Sequence, residues 1–218
     1  MELIKNIFLK LTGKKEKKEH WNQIFKKISC ENLGWYESDL EQTFKYINKL
    51  DKLQEKTIFI SGAGTSLLVD ELIGKCKHLI LNDISQEALD IVKKRIVDSN
   101  QKITWLIADI SKPLLIEDAS IDLWIDRAVL HFLTEEEQIN SYFSNLDKKI
   151  KKNAHVLIAE FSKDGANKCA GLKVHKYSLE EIAERCDNKF KLLEHEYYNY
   201  KNPQGEIKPY IYCFLKKI

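Results

Sequence analysis

The fold is decided by Thr57-Ile58-Phe59-Ile60-Ser61-Gly62-Ala63-Gly64-Thr65-Ser66-Leu67-Leu68, followed downstream by Leu79-Ile80-Leu81-Asn82-Asp83. The first run is apolar and rich in β-branched residues, which is typical of a buried strand. It breaks at Gly62-Ala63-Gly64 and then continues in a helical pattern. A second apolar run ends in an acid, Asp83. This succession predicts a nucleotide-binding strand–loop–helix–strand unit, in which glycines let the backbone approach a ligand and the acid accepts hydrogen bonds from ribose hydroxyls.

The spacing of the glycines narrows the ligand. A dinucleotide-binding loop has a third glycine three residues after the second, and this sequence has Leu67 there. The Gly-x-x-x-x-Gly-Lys-Ser/Thr pattern of a phosphate-binding loop is also missing. A ligand with a ribose but no pyrophosphate fits this pattern, and S-adenosylmethionine is the obvious candidate. The alternative is a tight turn with no ligand.

The composition of the 218 residues is that of a globular protein, with 44% apolar and 31% charged residues. A formal net charge of +2 gives no general case for nucleic-acid binding, so we expect no nucleic-acid partner. The five cysteines are scattered and form no Cys-x-x-Cys pair. We therefore predict no metal site, no disulfide framework and a reducing, cytoplasmic location.

The first residues form a separate segment of the sequence. An apolar stripe over residues 3–11 precedes Lys14-Lys15-Glu16-Lys17-Lys18. No apolar run approaches the ~20 residues that span a bilayer. Residues 3–18 are predicted either to pack as a helix on the domain or a partner, or to lie weakly on a membrane surface. We divide the chain into an N-terminal extension (1–20) and one domain (21–218), itself a helical cap (21–56) and a sheet core (57–218).

Strands alternate with helices over the core, which predicts an α/β fold. The expected architecture is a doubly wound, mostly parallel seven-stranded sheet with helices on both faces and an antiparallel C-terminal hairpin. The predicted strands are Thr57–Ser61, His78–Asn82, Ile103–Ala108, Ile121–Ile125, His155–Glu160, Phe190–Tyr200 and Lys208–Lys216. The predicted helix caps are Ser38, Ser85, Thr134 and Ser178.

Acids follow most of the predicted parallel strands. They are Asp83, Asp109, Asp126 (followed by Arg127) and Glu160 (followed by Phe161). The carboxyl ends of parallel strands meet at one edge of an open sheet, where such folds bind their ligands. A single acid at a strand end is usually a turn residue, but four on one edge favour a site for a polar ligand.

The sequence over roughly residues 20–218 resembles a class I S-adenosylmethionine-dependent methyltransferase. The resembling segments are Ser61–Ser66, Asn82–Ser85, Ala108–Ile110 and Ile121–Leu133. Asp126-Arg127-Ala128 is similar to thiopurine- and tellurite-type members. Trp35-Tyr36 and the Gly-Thr-Ser-Leu-Leu of the first motif are similar to relatives of protein-lysine methyltransferases.

The resemblance implies a role for each matching residue. Gly62 and Gly64 would pass the methionine part of the cofactor, with contacts from Ala63, Thr65 and Ser66. Asp83 would bind the ribose and Ile84 the adenine, while Asp109 would accept from the adenine amino group beside Ile110. Asp126 and Arg127 would lie near the methionine end and the reacting methyl. The alternatives are a turn role for Asp83, a helix cap for Asp109 and a carboxylate partner for Arg127.

The acceptor side is predicted around Trp35, Tyr36, Phe132 and the long loop Phe161–Tyr177, which contains Cys169. Phe161 and Cys169 are candidate substrate contacts, and Asp126, Arg127 and His131 are candidate catalytic residues. His131 is either a proton acceptor or a buried structural histidine, and Cys169 is either a contact or an ordinary loop residue. The predicted reaction moves a methyl group to a small-molecule nucleophile, such as a thiol, by in-line displacement. The alternatives are a protein-lysine N-methyltransferase and a NAD-binding or non-catalytic nucleotide-binding protein. The oligomeric state stays open.

Overall fold

A computed structural model describes residues 16–96, 102–186 and 188–218. The helices are α1 (residues 16–27), α2 (Glu41–Ile47), α3 (Leu68–Leu72), α4 (Gln86–Arg95), α5 (Glu136–Lys149) and α6 (Leu179–Arg185). The strands are β1 (Thr57–Ser61), β2 (His78–Asp83), β3 (Ile103–Ile107), β4 (Ile121–Arg127), β5 (Ile150–Phe161), β6 (Lys168–Cys169), β7 (Leu172–Lys173), β8 (Phe190–Lys201) and β9 (Ile207–Lys217).

Seven strands form one sheet, as predicted, and their order in it is β3-β2-β1-β4-β5-β9-β8. The strands β1 to β5 are parallel, and β9 and β8 are antiparallel to their neighbours. Because β1 lies between β2 and β4, the strand order reverses there, and the loops after β1 and β4 diverge to opposite faces. A crevice at this switch point is where open α/β sheets bind ligands.

Each face of the sheet has its own buried core. In the central strand β4, Leu123 and Ile125 belong to one core and Trp124 between them belongs to the other, since alternate residues point to opposite faces. Ile121 also belongs to the core of Trp124, because the register of β4 against β5 shifts between Ile121 and Leu123. Trp124 stacks on Phe59 of β1 with ring centroids 4.0 Å apart. Strands covered on both faces explain the nearly continuous apolar runs in the sequence.

Two predicted helix caps are confirmed and two are wrong. The side chains of Ser85 and Ser178 accept hydrogen bonds from the N–H groups of the first turns of α4 and α6. Ser38 does not cap α2, which begins at Glu41, and Asp39 accepts the Glu41 N–H instead. Thr134 lies before the start of α5, whose N-cap position is Glu135 without a side-chain cap.

The N-terminal part of the described chain packs on the sheet domain. The predicted helical cap over residues 21–56 begins with part of α1, whose Phe25 is buried with Leu33 and Ala88. The apolar stripe at residues 3–11 lies outside the described residues, and the division into extension, cap and core stays a prediction. In the part of the chain that is described, no helix is both long and apolar enough to cross a membrane.

Shortening Leu123, which is fully buried in the central strand, should lower the free energy of unfolding. Leu123→Ala is expected to cost about 2–5 kcal/mol, because it removes apolar contacts and leaves a cavity. Leu115→Ala makes the same chemical change at a side chain that is 94% exposed, and it should stay within about 0.5 kcal/mol of the parent. Urea denaturation of the two variants measures the difference, and equal losses would contradict the placement of Leu123.

Candidate active site

The glycine loop after β1 has a backbone conformation that residues with a Cβ adopt only under strain. Gly62 and Gly64 have φ angles of 54° and 51°, in the left-handed region. A Cβ added to Gly62 would lie 2.1 Å from Cγ2 of Val129, in the segment after β4. The loop therefore passes so close to the neighbouring strand end that only glycine fits at position 62.

Asp83 connects the ends of β1 and β2. One carboxylate oxygen accepts the Gly64 N–H at 2.8 Å, and the other accepts the Ser85 N–H at 2.8 Å. The side chain lines the cavity described below, although Asp83 is only 6% exposed. Burial raises the pKa of Asp83 to about 6, and the backbone hydrogen bonds limit that rise. Asp83 therefore has the turn role given above as an alternative, and it also lies in the ligand cavity.

Arg95 of α4 supports the outer side of the same loop. Its guanidinium donates to the carbonyls of Thr65 and Ser66 at 2.9 Å each, and it pairs with Asp70 of α3 at 2.7 Å. No sequence pattern predicts this role, because Arg95 looks like an ordinary basic residue in the last turn of a helix.

A cavity opens at the switch point, where open α/β sheets bind their ligands. It brings together nine of the predicted residues, Trp35, Gly62, Gly64, Asp83, Ile84, Asp109, Ile110, Arg127 and Phe132. Ala63, Thr65, Ser66 and Tyr36 line an adjoining, more polar pocket that shares Trp35, Gly62, Gly64 and Arg127 with the first. Asp109 also accepts from the N–H and hydroxyl of Ser111, so it shapes its own turn as well as the cavity wall.

An aromatic lid covers the cavity, and we define it as Trp21, Phe25, Trp35 and Phe132. The Trp21 ring lies 4.8 Å from Phe132 and 5.7 Å from Trp35, with both contacts edge to face. Phe25 completes the lid, 6.3 Å from the rings of Trp21 and Trp35. Helix α1 therefore contributes half of the lid. The sequence did not reveal this, since a helical pattern does not say which part of the sheet a helix covers.

Arg127 lies at the junction of the two pockets. Its Nε is 3.0 Å from a carboxylate oxygen of Glu37, and its Nη1 donates to the Trp35 carbonyl at 3.0 Å. The rings of Tyr200 and Tyr210 flank the guanidinium at 4.7 and 5.0 Å. Burial opposes the charge, but neighbouring Tyr212 and Glu37 raise the pKa of Arg127 above its ordinary value. The carboxylate-pair alternative is thus present in the structure.

One N–H group of Arg127 is available to a ligand. Nη2 is buried and has no hydrogen-bond partner among the described residues. Since Arg127 lines both pockets, this donor lies at the site where the glycine loop and the lid meet.

The other two predicted catalytic residues, Asp126 and His131, lie behind the cavity wall. Both are fully buried, and neither lines the cavity. Asp126 lies beside Glu160, and the ring Nδ1 of His131 is 2.6 Å from a Glu160 oxygen, a close contact without hydrogen-bond alignment. Burial raises the pKa of Asp126 well above its usual range, and the charge of Glu160 raises it further.

Burial acts on the other members of this group too. It raises the pKa of Glu160 to about 7 and lowers the pKa of His131 to about 3. The imidazole is therefore neutral at neutral pH, and two adjacent carboxyl groups compete for protons. The hydroxyl groups of Tyr142 and Ser61 also interact with the Asp126 carboxyl and lower its pKa, which partly opposes the effect of burial.

The predicted substrate contacts are divided between the cavity and its surroundings. Trp35 is in the lid. Phe161 is buried and stacks on the His131 ring at 4.6 Å. Cys169 is half-buried in β6, and burial raises the pKa of its thiol to about 11, which keeps it protonated. No group of three or more His, Cys, Asp or Glu side chains in the described ranges could hold a metal ion.

Comparison with known proteins finds one family match and several solved structures of the same fold. Residues 60–158 match the family described as "Methyltransferase domain". A S-adenosylmethionine-dependent methyltransferase from Anabaena variabilis has the same fold, with a TM-score of 0.71, 14% identity and coverage of 94% of this chain and 95% of that one. Phosphoethanolamine N-methyltransferase 1 of Haemonchus contortus, solved with phosphoethanolamine and S-adenosylhomocysteine, has a TM-score of 0.69 at 13% identity, covering 94% of this chain and 49% of that one.

Two curated relatives are similar in sequence. Phosphoethanolamine N-methyltransferase 1 of Triticum aestivum is 25% identical over 173 residues, and a tRNA N(3)-methylcytidine methyltransferase of Schizosaccharomyces pombe is 27% identical over 156. The matches cover 76% and 68% of this chain, but only 34% and 61% of the relatives. The family model matches slightly less than half of this chain. The solved methyltransferases, at 14% and 13% identity, share its fold.

The buried carboxyl pair should make stability fall as pH rises. Both pKa values are raised in the folded protein, so the folded state holds more protons than the unfolded state between about pH 4.5 and 7. Asp126→Asn removes one titrating group and supplies an amide that donates to Glu160. Between pH 5 and 8, the variant is expected to lose less stability than the parent, because one of the two carboxyl groups with a raised pKa is gone. Urea denaturation across this range measures the slopes, and identical slopes would contradict the paired carboxyl groups.

Proposed function

We propose that the cavity binds S-adenosylmethionine and that the protein transfers its methyl group to a small-molecule nucleophile. The observation that carries this proposal is the placement of Gly62, Gly64 and Asp83 in the wall of one cavity, opposite the aromatic lid.

The residues of the wall fit the nucleoside part of this cofactor. Each oxygen of Asp83 accepts one backbone N–H and has a further lone pair for a ribose hydroxyl. Ile84 and Ile110 provide apolar surface for the adenine, and Asp109 lies in the same wall as an acceptor for its amino group. The glycine loop, where a side chain at position 62 would strike Val129, leaves its backbone available to the ligand.

Arg127 fits the amino-acid end of the cofactor. Its unpartnered Nη2 N–H is buried where the two pockets join, which suits the carboxylate of the methionine part. Glu37 and the flanking tyrosines fix the guanidinium in this place. In this proposal Arg127 is a cofactor contact, and Asp126 and His131 support the wall from behind.

The cofactor supplies a methyl group bonded to a sulfonium. As the nucleophile bonds to the methyl carbon, the S–C bond breaks and sulfur retains its electron pair. The work of the protein is then alignment and exclusion of water, which can lower a barrier by several kcal/mol. In this proposal the lid excludes water from the cavity. The faces of its aromatic rings also attract the positive charge of the sulfonium, which helps to align it.

Our proposal assigns the acceptor to nitrogen or sulfur nucleophiles of low molecular weight. The titratable side chains of the wall are Lys17, Asp83, Asp109 and Arg127, and we assign the last three to the cofactor. Buried His131, with a pKa lowered to about 3, is a weak proton acceptor. A nucleophile that arrives deprotonated, such as a thiolate or a free amine, needs no base in the wall. The relatives named for phosphoethanolamine support an amine, and the predicted thiol is the second candidate.

Removing the Asp83 carboxylate should weaken cofactor binding. Asp83→Ala is expected to raise the Kd for S-adenosylhomocysteine at least tenfold by calorimetry, because the ribose loses its acceptor and the glycine loop loses its tie to β2. Asp51→Ala, at an exposed acid before β1, is the control and should bind as the parent does. A folded Asp83→Ala protein with unchanged affinity would remove Asp83 from the site. Binding of NAD without binding of S-adenosylhomocysteine would support the NAD alternative instead.

The fate of the methyl group identifies the acceptor class. We expect radiolabelled S-adenosylmethionine, incubated with the protein and a cell extract, to label the small-molecule fraction, with phosphoethanolamine as the first pure compound to test. Asp83→Ala is the matched control and should label far less. Label confined to the protein fraction would support the lysine alternative, and label in the RNA fraction would favour a tRNA acceptor. Either result would contradict a small-molecule substrate.

A further inference from the structure

Glu160, at the carboxyl end of β5, accepts hydrogen bonds from three consecutive backbone N–H groups. One oxygen accepts from Val129 at 3.3 Å and from Leu130 at 3.1 Å, and the other accepts from His131 at 3.2 Å. The side chain is fully buried, and it does not line the cavity. This carboxylate therefore acts on the segment after β4 and not on a ligand.

The segment it holds is strained at its start. Ala128 has a φ of 63°, in the left-handed region that disfavours residues with a Cβ. A single turn follows at Leu130–Phe132, too short to fix its own position. Among the described residues, the one other acceptor for these three N–H groups is the carboxyl of Asp126, which accepts from Leu130 at 3.3 Å.

The same segment forms one wall of the cavity. Val129 and Phe132 both line it. Val129 is the residue that a Cβ at Gly62 would strike, so a small shift of Val129 toward Gly62 narrows the space at the glycine loop. Phe132 is in contact with Trp21 of the lid. The position of this segment therefore determines both the width of the cavity and the contact between Phe132 and the rest of the lid.

We propose that Glu160 is a positioning residue for the cofactor site, because its carboxylate holds residues 129–132 at a fixed distance from the glycine loop. The proposal rests on the proposed function in assigning the cavity to the cofactor. The groups that face the carboxylate are Asp126 and His131 from the β4 side, with Tyr177, Cys169 and Tyr210 near it from the following segments. Like charges on Asp126 and Glu160 oppose the ionisation of both carboxyl groups, while the neutral His131 adds no charge.

The test compares Glu160→Gln with Asp122→Asn. Asp122 also lies in the sheet, accepts the Thr57 N–H at 2.8 Å and pairs with Lys151, but it does not line the cavity. Both variants replace a carboxylate that holds a backbone N–H. We expect Glu160→Gln to raise the Kd for S-adenosylhomocysteine about tenfold or more while unfolding stays cooperative, and Asp122→Asn to leave the Kd unchanged. Parent affinity in Glu160→Gln, or an equal loss in both variants, would overturn the proposal.

Amide hydrogen exchange gives a readout that does not depend on ligand binding. In the cofactor-free parent, the amides of residues 129–131 should be protected, and Glu160→Gln should raise their exchange rates at least tenfold without affecting β1. If Glu160→Gln does not fold, the parent alone decides: rapid exchange of these three amides would overturn the proposal. A parent that is protected there but binds no S-adenosylhomocysteine would contradict the proposed function and leave the positioning role supported.

Discussion

The carboxylate of Asp83 is the interaction on which the geometry of the site depends. It joins two loops that are separate in sequence, since one oxygen holds Gly64 after β1 and the other holds Ser85 before α4. Its neighbour Asn82 donates to the carbonyls of Leu106 and Ala108 at the end of β3. Three strand ends are thereby fixed to each other by two adjacent side chains. A ligand that contacts Asp83 meets a surface whose shape is already set, so little ordering is required when it binds.

The opposite side of the crevice depends on a less stable arrangement. Asp126 and Glu160 are both fully buried, and like charges at such close range disfavour ionisation of both. A pair of apolar side chains in their place would leave the N–H groups after β4 without acceptors. The acids thus reduce stability at neutral pH in exchange for a defined cavity wall, a compromise that is common at functional sites.

The sequence predicts those parts of the molecule that depend on local spacing. The succession of strands along the chain, the two glycines and Asp83 follow from short patterns whose geometry is the same wherever they occur. The predicted caps at Ser38 and Thr134 are wrong because both helices begin later than expected: α2 begins at Glu41, whose N–H is accepted by Asp39, and α5 begins at Glu136. Glu160 could be placed at the ligand edge of the sheet, but not assigned to the backbone of residues 129–131. That contact depends on how two neighbouring strand ends turn, which no local pattern encodes.

The two halves of the aromatic lid are attached to different parts of the fold. At Trp35 the lid is bound to the sheet by the largely buried Arg127–Glu37 pair and by the tyrosine rings around it. Helix α1 is bound to the start of α4 by the hydrogen bond from the Ser85 hydroxyl to Asn22 at 2.8 Å and by an ion pair between the same two helices. Substitutions at the contacts between α1 and α4 would therefore act on the half of the lid that α1 carries and leave the Trp35 half in place.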